Sequence, residues 1–337
     1  MIITINKTAK QSDVDKLRAM LDQNGLMHCL SENERHQVIG VDKMGSATLI
    51  EALKSCPFVE LVIETTTPFK LASKEYKNTK TAIGIKDVII GGNDIVLMAG
   101  PCAIESLEQL LTISAEMKKL GAKVLRGSAY KPRTSPYSFQ GSGLQGLRWH
   151  KEAQKEHGLL IETEVMDVRD VEVVAEHVDI VRIGARNMQN FNLLKEVGKC
   201  SRPVILKRGM SATVEEWLMS AEYIMAHGNH NVILCERGIR TFENTSRNTL
   251  DLNSVAVVQN LSHLPVIVDP SHAAGKKDII PHLAKAAVAV GADGLLIEAH
   301  HDPAGSKCDP LQALLPHELA DLCKELKLIA RAIGRDF

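Results

Sequence analysis

Two different rhythms of apolar and polar residues divide the chain. Over the first ~70 residues, apolar positions alternate at 2–5 like a strand, then recur at helical spacing over 12–21. Ser12 is the expected N-cap of that helix and Gly25 closes it. Short strands follow at 27–30 and 36–41, then a helix at 46–53 and a strand at 59–64. The order βαββαβ is that of a ferredoxin-like split unit. Pro68 and the polar stretch 73–81 read as a linker.

Beyond Thr81 the rhythm changes. A hairpin is expected over 81–94, with Gly91-Gly92 as its turn signal. One unit then repeats: a short β-branched apolar run that ends in polar or charged residues, followed by a helical stretch. The runs fall at 95–99, 123–126, 159–164, 180–184, 204–207, 232–236, 266–269 and 295–298. Their starts lie roughly 20 to 36 residues apart, the length of a βα unit. Eight buried parallel strands alternating with helices match a (β/α)8 barrel. A doubly wound open sheet would need fewer strands and a Gly-rich first turn, and neither GxGxxG nor GxxxxGK[ST] occurs. The expected fold is therefore α/β: a ferredoxin-like domain over 1–72, then a (β/α)8 TIM barrel over 73–337.

Composition narrows the function. At 337 residues the chain is long enough for about two domains. Lys and Arg total 40 against 41 Asp and Glu, and residues 1–70 carry 8 basic against 9 acidic groups. That balance, with aromatics at 4%, argues against a nucleic-acid binder. No apolar run approaches the ~18 residues of a membrane span, and residues 1–16 carry polar groups where a signal peptide would have its long apolar stretch. Seven cysteines without a CxxC pair suggest reduced thiols and a cytoplasmic protein.

Active sites of such barrels lie at the C-terminal ends of the strands. Those ends carry two constellations. The first is cationic: Arg126, Lys131, Arg133, Arg186, Lys207 and Arg237 converge on one mouth of a nearly neutral protein. Such groups are partners for phosphate and carboxylate oxygens, unless Glu162, Glu164, Glu236 or Asp269 holds them in structural ion pairs. The second is Cys102, His272, Glu298 and Asp309, from strands that become neighbours once the barrel closes. A thiolate, an imidazole and two carboxylates suit Mn²⁺, Fe²⁺, Co²⁺ or Zn²⁺. Singly, Cys102 also reads as a buried small hydrophobe and His272 as a ring bonded to backbone.

The segments GPCAIES (100–106), LRGSAYKPRTSPYSFQG (125–141), IGARNMQN (183–190), LKRG (206–209), ILCERGIRTFE (233–243), VDPSHAAG (268–275) and IEAH (297–300) resemble those of the 3-deoxy-D-arabino-heptulosonate 7-phosphate (DAHP) synthases. The resemblance is to the short-barrel (type I beta) subgroup and covers roughly residues 80–335. The 3-deoxy-D-manno-octulosonate 8-phosphate (KDO8P) synthases share that barrel. They carry an Asn-Arg-Ser-Ser type of segment where this chain has Lys131–Ser135. The first 70 residues resemble the ferredoxin-like regulatory extension of some DAHP synthases.

The resemblance implies a metal-dependent condensation of phosphoenolpyruvate with erythrose 4-phosphate, at the entry to chorismate and the aromatic amino acids. It implies Cys102, His272, Glu298 and Asp309 as metal ligands. Arg126, Lys131, Arg186, Lys207 and Arg237 would hold phosphoenolpyruvate, and Arg133 and Thr134 the erythrose phosphate. Lys131, Glu164 and His272 form the implied catalytic set, with Lys131 and Glu164 the candidates for proton transfer. An aromatic amino acid as feedback inhibitor and a homotetramer are implied as well. Cys308, beside Asp309, is expected to reach Cys102 for a disulfide when the metal is lost. The competing readings are a KDO8P synthase using arabinose 5-phosphate and an amino-acid sensor with an inactive barrel.

Overall fold

The computed structural model describes residues 1–32 and 36–337. The N-terminal segment forms β1 (Ile2–Asn6), α1 (Gln11–Gln23), β2 (His28–Glu32), β3 (His36–Val41), α2 (Ala47–Lys54) and β4 (Val59–Ile63). Its antiparallel sheet runs β2-β3-β1-β4. Alternation along β1 divides its contacts. Met1, Ile3 and Ile5 pack with Val14, Leu17, Leu21 and Leu53 of the helices, whereas Ile2 joins the core of the larger body. Ser46 caps α2, accepting from the Leu49 N–H at 3.2 Å. The cap of α1 is Lys10 rather than Ser12. The Asp13 carboxylate accepts the Lys10 backbone N–H at 3.2 Å and so starts the helix earlier.

Residues 73–81 are not a free linker. Lys74 N–H donates to the Leu261 carbonyl at 2.9 Å and Thr81 N–H to that of His263 at 2.7 Å. The His263 ring spans Thr81 Oγ1 and the Leu71 carbonyl, each at 2.7 Å. A polar sequence is thus pinned by backbone bonding, with Tyr76 packed against the core. The hairpin of β5 (Ile83–Ile85) and β6 (Val88–Ile90) turns at Lys86, whose φ is 55°, and Gly91-Gly92 follow its second strand.

The barrel strands are β7 (Val96–Gly100), β8 (Val124–Arg126), β9 (Leu160–Val165), β10 (Ile180–Ile183), β11 (Val204–Lys207), β12 (Val232–Glu236), β13 (Val266–Val268) and β14 (Gly294–Glu298). They close in the order β10-β11-β12-β13-β14-β7-β8-β9, and every pair is parallel. Around them lie α3 (Leu107–Lys119), α4 (Gly143–His157), α5 (Val171–His177), α6 (Phe191–Val197), α7 (Val214–Met225), α8 (Leu252–Leu261), α9 (Pro270–Ala274), α10 (Ile280–Ala289) and α11 (Pro316–Ala332).

The period of two sorts each strand. Outward residues such as Leu125, Ile161, Val181 and Leu206 pack under the helices. Inward residues begin apolar, and Val124, Leu160, Ile180, Ile205 and Ile267 form one cluster with Ile83, Ile85, Val88 and Ile90 of the hairpin. The hairpin therefore plugs the N-terminal end. Two positions further along the same inward rows stand Arg126, Glu162, Arg182, Lys207 and Asp269, all buried.

The N-terminal sheet rests on the end of α7. Ser31 Oγ donates to the Met225 carbonyl at 2.7 Å, and Glu222 accepts the N–H groups of Leu71 and Ala72 at 2.8 and 3.0 Å.

Candidate active site at the barrel mouth

The inward rows end in a charged layer that pairs with itself from strand to strand. Arg126 Nη1 donates to Glu298 Oε1 at 2.8 Å, and Arg182 Nη1 to Glu162 Oε1 at 2.8 Å. Lys207 Nζ reaches Asp269 Oδ2 at 2.5 Å. Two of the six expected cations, Arg126 and Lys207, thus have carboxylate partners. Arg126 is fully buried, yet its Nε and Nη2 have no hydrogen-bond partner. Buried donors left in that state are places for an anion.

Above this layer opens a cleft of about 340 Å³. Lys131, Arg133, Thr134, Arg186, Lys207 and Arg237 line it together with Glu164, His272 and Asp309. Arg126 is not among the lining residues. Gly184 makes room for the Glu164 carboxylate, since a Cβ there would lie 2.0 Å from Glu164 Oε1. Lys131 Nζ lies 3.0 Å from Cys102 Sγ and 3.3 Å from the Cys102 carbonyl. Burial opposes the Lys131 charge, but Cys102, Cys308, Glu164 and Glu298 outweigh it and raise the ammonium pKa. Arg237 is held down by burial.

Cys102, His272, Glu298 and Asp309 offer one ligand atom each within 4.8 Å of one another. Burial brings the His272 pKa down to about 4, leaving a neutral ring. Burial also opposes the charge of Asp269, yet His272 and Lys207 hold it well below the carboxylate range. An ionised Asp269 only accepts, so the proton of His272 sits on Nδ1, 2.7 Å from Asp269 Oδ2. Nε2 then turns a lone pair toward Glu298 Oε1 at 3.2 Å. Burial opposes the charge of Glu298 as well, and Arg126 and Lys131 outweigh it and keep the carboxylate ionised. Two opposed lone pairs, a thiol and a second carboxylate are the donor set of a cation, and the Asp269–imidazole bond is the usual outer support of a metal-binding histidine. The residues fit a divalent metal.

Cys102 Sγ and Cys308 Sγ are free thiols 3.2 Å apart. Their shared hydrogen bond and burial push Cys102 up, while the same bond draws Cys308 down. Arg133 Nη1 also donates to Cys308 Sγ at 2.7 Å.

Sequence reasoning passed over several residues here. Arg240, Arg247 and Asn248 line the cleft from the loop after β12. Gln312 Nε2 donates to Glu298 Oε2 at 2.8 Å. Arg182 could have been found by counting alternate positions from Ile180, and the same count from Ile267 points Asp269, expected only as an ion-pair partner, inward. Arg208 and Glu236, by contrast, point outward and pair at 3.1 Å beside Asp251, the cap of α8.

Comparison with known proteins matches residues 70–332 to the DAHP synthetase I family. The phospho-2-dehydro-3-deoxyheptonate aldolase of Thermotoga maritima is 42% identical over 334 residues, covering 99% of each chain. A 2-dehydro-3-deoxyphosphooctonate aldolase of Syntrophotalea carbinolica is 31% identical over 73% of this chain and 94% of its own. The crystal structure of the Thermotoga maritima aldolase, titled a DAHP synthase, superposes with a TM-score of 0.80 at 41% identity. It covers 99% of this chain and 98% of that one. No helix among the described residues is long and apolar enough to cross a membrane.

Proposed function

The chain belongs to the DAHP synthetase I family, and from that membership we infer that it is a DAHP synthase. It condenses phosphoenolpyruvate with erythrose 4-phosphate and water to give DAHP and inorganic phosphate, the first step of the shikimate pathway. The observation that carries this is the match over 99% of the chain, which includes the N-terminal unit, whereas the octulosonate relative covers 73%.

The residue roles follow from charge and position. Two phosphates and a carboxylate must be held face to face, which replaces a chance encounter by a positioned one. Lys207, Arg186, Arg237 and Lys131, with the unpartnered donors of Arg126 behind them, hold phosphoenolpyruvate. Arg133 and Thr134, nearer the rim, hold the erythrose phosphate. C3 of the enol attacks the aldehyde carbon, water adds at C2, and phosphate leaves with cleavage of its C–O bond. In this reading Lys131 gives a proton to the aldehyde oxygen and Glu164 takes one from the incoming water.

Cys102, His272, Glu298 and Asp309 are the residues that would hold a divalent ion, of which Mn²⁺, Fe²⁺, Co²⁺ and Zn²⁺ all suit the donors. Bound there, such an ion supplies Lewis acidity toward the aldehyde oxygen. Asp269 keeps the imidazole in its ligating tautomer.

Residues 1–72 act as the regulatory domain and take an aromatic amino acid as feedback inhibitor. Their docking on α7, which follows the strand ending in Lys207, supports a path from that domain to the site. Tyr137 and Phe242, 97% and 100% exposed on the mouth loops, support assembly into a homotetramer. The setting is cytoplasmic, in keeping with seven free thiols.

The test is loss of phosphoenolpyruvate absorbance with each sugar in turn. Consumption is expected with erythrose 4-phosphate, not with arabinose 5-phosphate, and is abolished by a chelator. Consumption with arabinose 5-phosphate alone would assign the barrel to octulosonate synthesis, and inertness toward both would make it a sensor.

Metal-free protein kept in air is expected to lose the activity that added metal restores, as Cys102 and Cys308 join. The two thiols give up two protons and two electrons to dissolved oxygen, and the sulfurs close to a bond of about 2.05 Å. Cys308→Ser should decay more slowly. Equal decay of parent and variant would rule the pair out.

A further inference from the structure

We propose that Gln312 and Arg247 are positioning residues that set the metal affinity of the mouth by fixing its two carboxylates; the proposal rests on the metal-site reading above. Gln312 is buried in the short turn after Asp309. Its Nε2 donates to Glu298 Oε2 at 2.8 Å, and its Oε1 accepts from Arg247 Nη1 at 2.9 Å. The same guanidinium nitrogen lies 3.5 Å from Asp309 Oδ1. One chain of contacts therefore links both carboxylates.

The direction of this chain is fixed by chemistry. A carboxylate only accepts and a guanidinium only donates, so a flipped Gln312 amide would lose both bonds. With Oε2 tied to Gln312, Glu298 presents Oε1 to His272 and Arg126. Neither Gln312 nor Arg247 is itself a ligand: the amide oxygen is spent on Arg247, and Arg247 is a cation.

Two backbone features serve the same arrangement. Asp309 sits in the left-handed region at φ 49° and ψ 50°. A residue other than glycine holds that conformation at a cost of about 1–3 kcal/mol and only where its surroundings over-determine it. The bond from Gln312 N to the Asp309 carbonyl at 3.3 Å and the approach of Arg247 to its carboxylate are such surroundings. Gly275, at φ 68°, ends α9 directly against Arg247, where a Cβ would lie 2.5 Å from Arg247 Cβ. The chain leaves that space open for the arginine.

Removing an outer partner of a metal ligand weakens metal binding by about 10- to 100-fold. The experiment is competition for Co²⁺ between a chromophoric chelator and the full chain, stripped of metal beforehand. Gln312→Leu keeps the volume and loses both hydrogen bonds, and Arg247→Met removes the far end of the chain. Each is expected to raise the Co²⁺ Kd by about 10- to 100-fold, with the melting temperature of the metal-free protein unchanged. The double variant should lose less than the product of the two, because both act through one bond, and Arg247→Lys should recover part of the loss. At saturating Co²⁺, the KM of Gln312→Leu for phosphoenolpyruvate should stay near that of the parent. A Kd within twofold of the parent in both single variants overturns the proposal. Should Gln312→Leu fold poorly, Arg247→Met decides alone, since its side chain is 38% exposed. A parent protein that takes up no Co²⁺ would refute the metal-site reading instead.

Discussion

Replacing Lys131 by Met is expected to lower kcat by about 10²- to 10⁴-fold, the usual contribution of a positioned acid or base, while the melting temperature moves by only a few degrees. Lys131 lies on the loop after β8 and lines the open cleft. Water can therefore fill the place of its ammonium, and the apolar stem is kept by Met. Its Nζ is held between Cys102 Sγ and the Cys102 carbonyl, and the surrounding anions keep it charged against its burial. A proton held in that way is available to an oxygen that becomes more basic during reaction. Lys131→Arg separates charge from proton transfer, because a guanidinium stays protonated. It should keep phosphoenolpyruvate binding and remain slow. A kcat within threefold of the parent in either folded variant would remove Lys131 from the mechanism.

Asp269→Asn should be nearly as damaging, although Asp269 neither lines the cleft nor belongs to the four-residue metal cluster. Its Oδ2 accepts from both His272 Nδ1 and Lys207 Nζ, and its Oδ1 accepts the His272 backbone N–H at 2.9 Å. Every contact of the carboxylate is with a donor, so an amide has nowhere to place its NH₂. Set in the Oδ1 position, it opposes the backbone N–H. Set in the Oδ2 position, it opposes Lys207 and forces the imidazole proton onto Nε2, where it faces Glu298 and blocks ligation. A buried Asp→Asn change that inverts a catalytic imidazole elsewhere costs about 10⁴-fold. Here a loss on the order of 10²- to 10⁴-fold in kcat/KM is expected, with metal affinity down by about 10- to 100-fold. Colorimetric metal competition and initial rates on the same preparation test both, and unchanged metal affinity would sever the proposed link.

Much of this arrangement is legible in the sequence where a regular period dictates direction. The runs ending in Arg126, Lys207 and Glu298 read as barrel strands because their apolar residues are β-branched, short and evenly spaced, and the structure keeps their limits within about two residues. Alternation even separates Lys207, which faces inward, from Arg208, which faces α8. Direction is lost where the period stops. Asp309, Gln312 and Arg247 come from loops in which no rule of spacing aims a side chain. Asp309 entered the candidate set only as a carboxylate that follows the strand ending in Glu298, and Gln312 and Arg247 had no signal at all. The stretch 73–81 misled for a related reason: its polar composition conceals backbone bonds to Leu261 and His263 that composition cannot express. The start of α1 turned on the Lys10–Asp13 reciprocal cap, a choice among neighbouring polar residues.

The hairpin that fills the lower end of the barrel turns the strand cylinder into a flask rather than a pipe. Everything that enters does so through the neck, and everything that leaves returns the same way. Lys207 lines the cleft that opens at that neck, and Arg126 is buried on another of the inward rows. Passage to and from that cleft thus has one end of the strand cylinder to use.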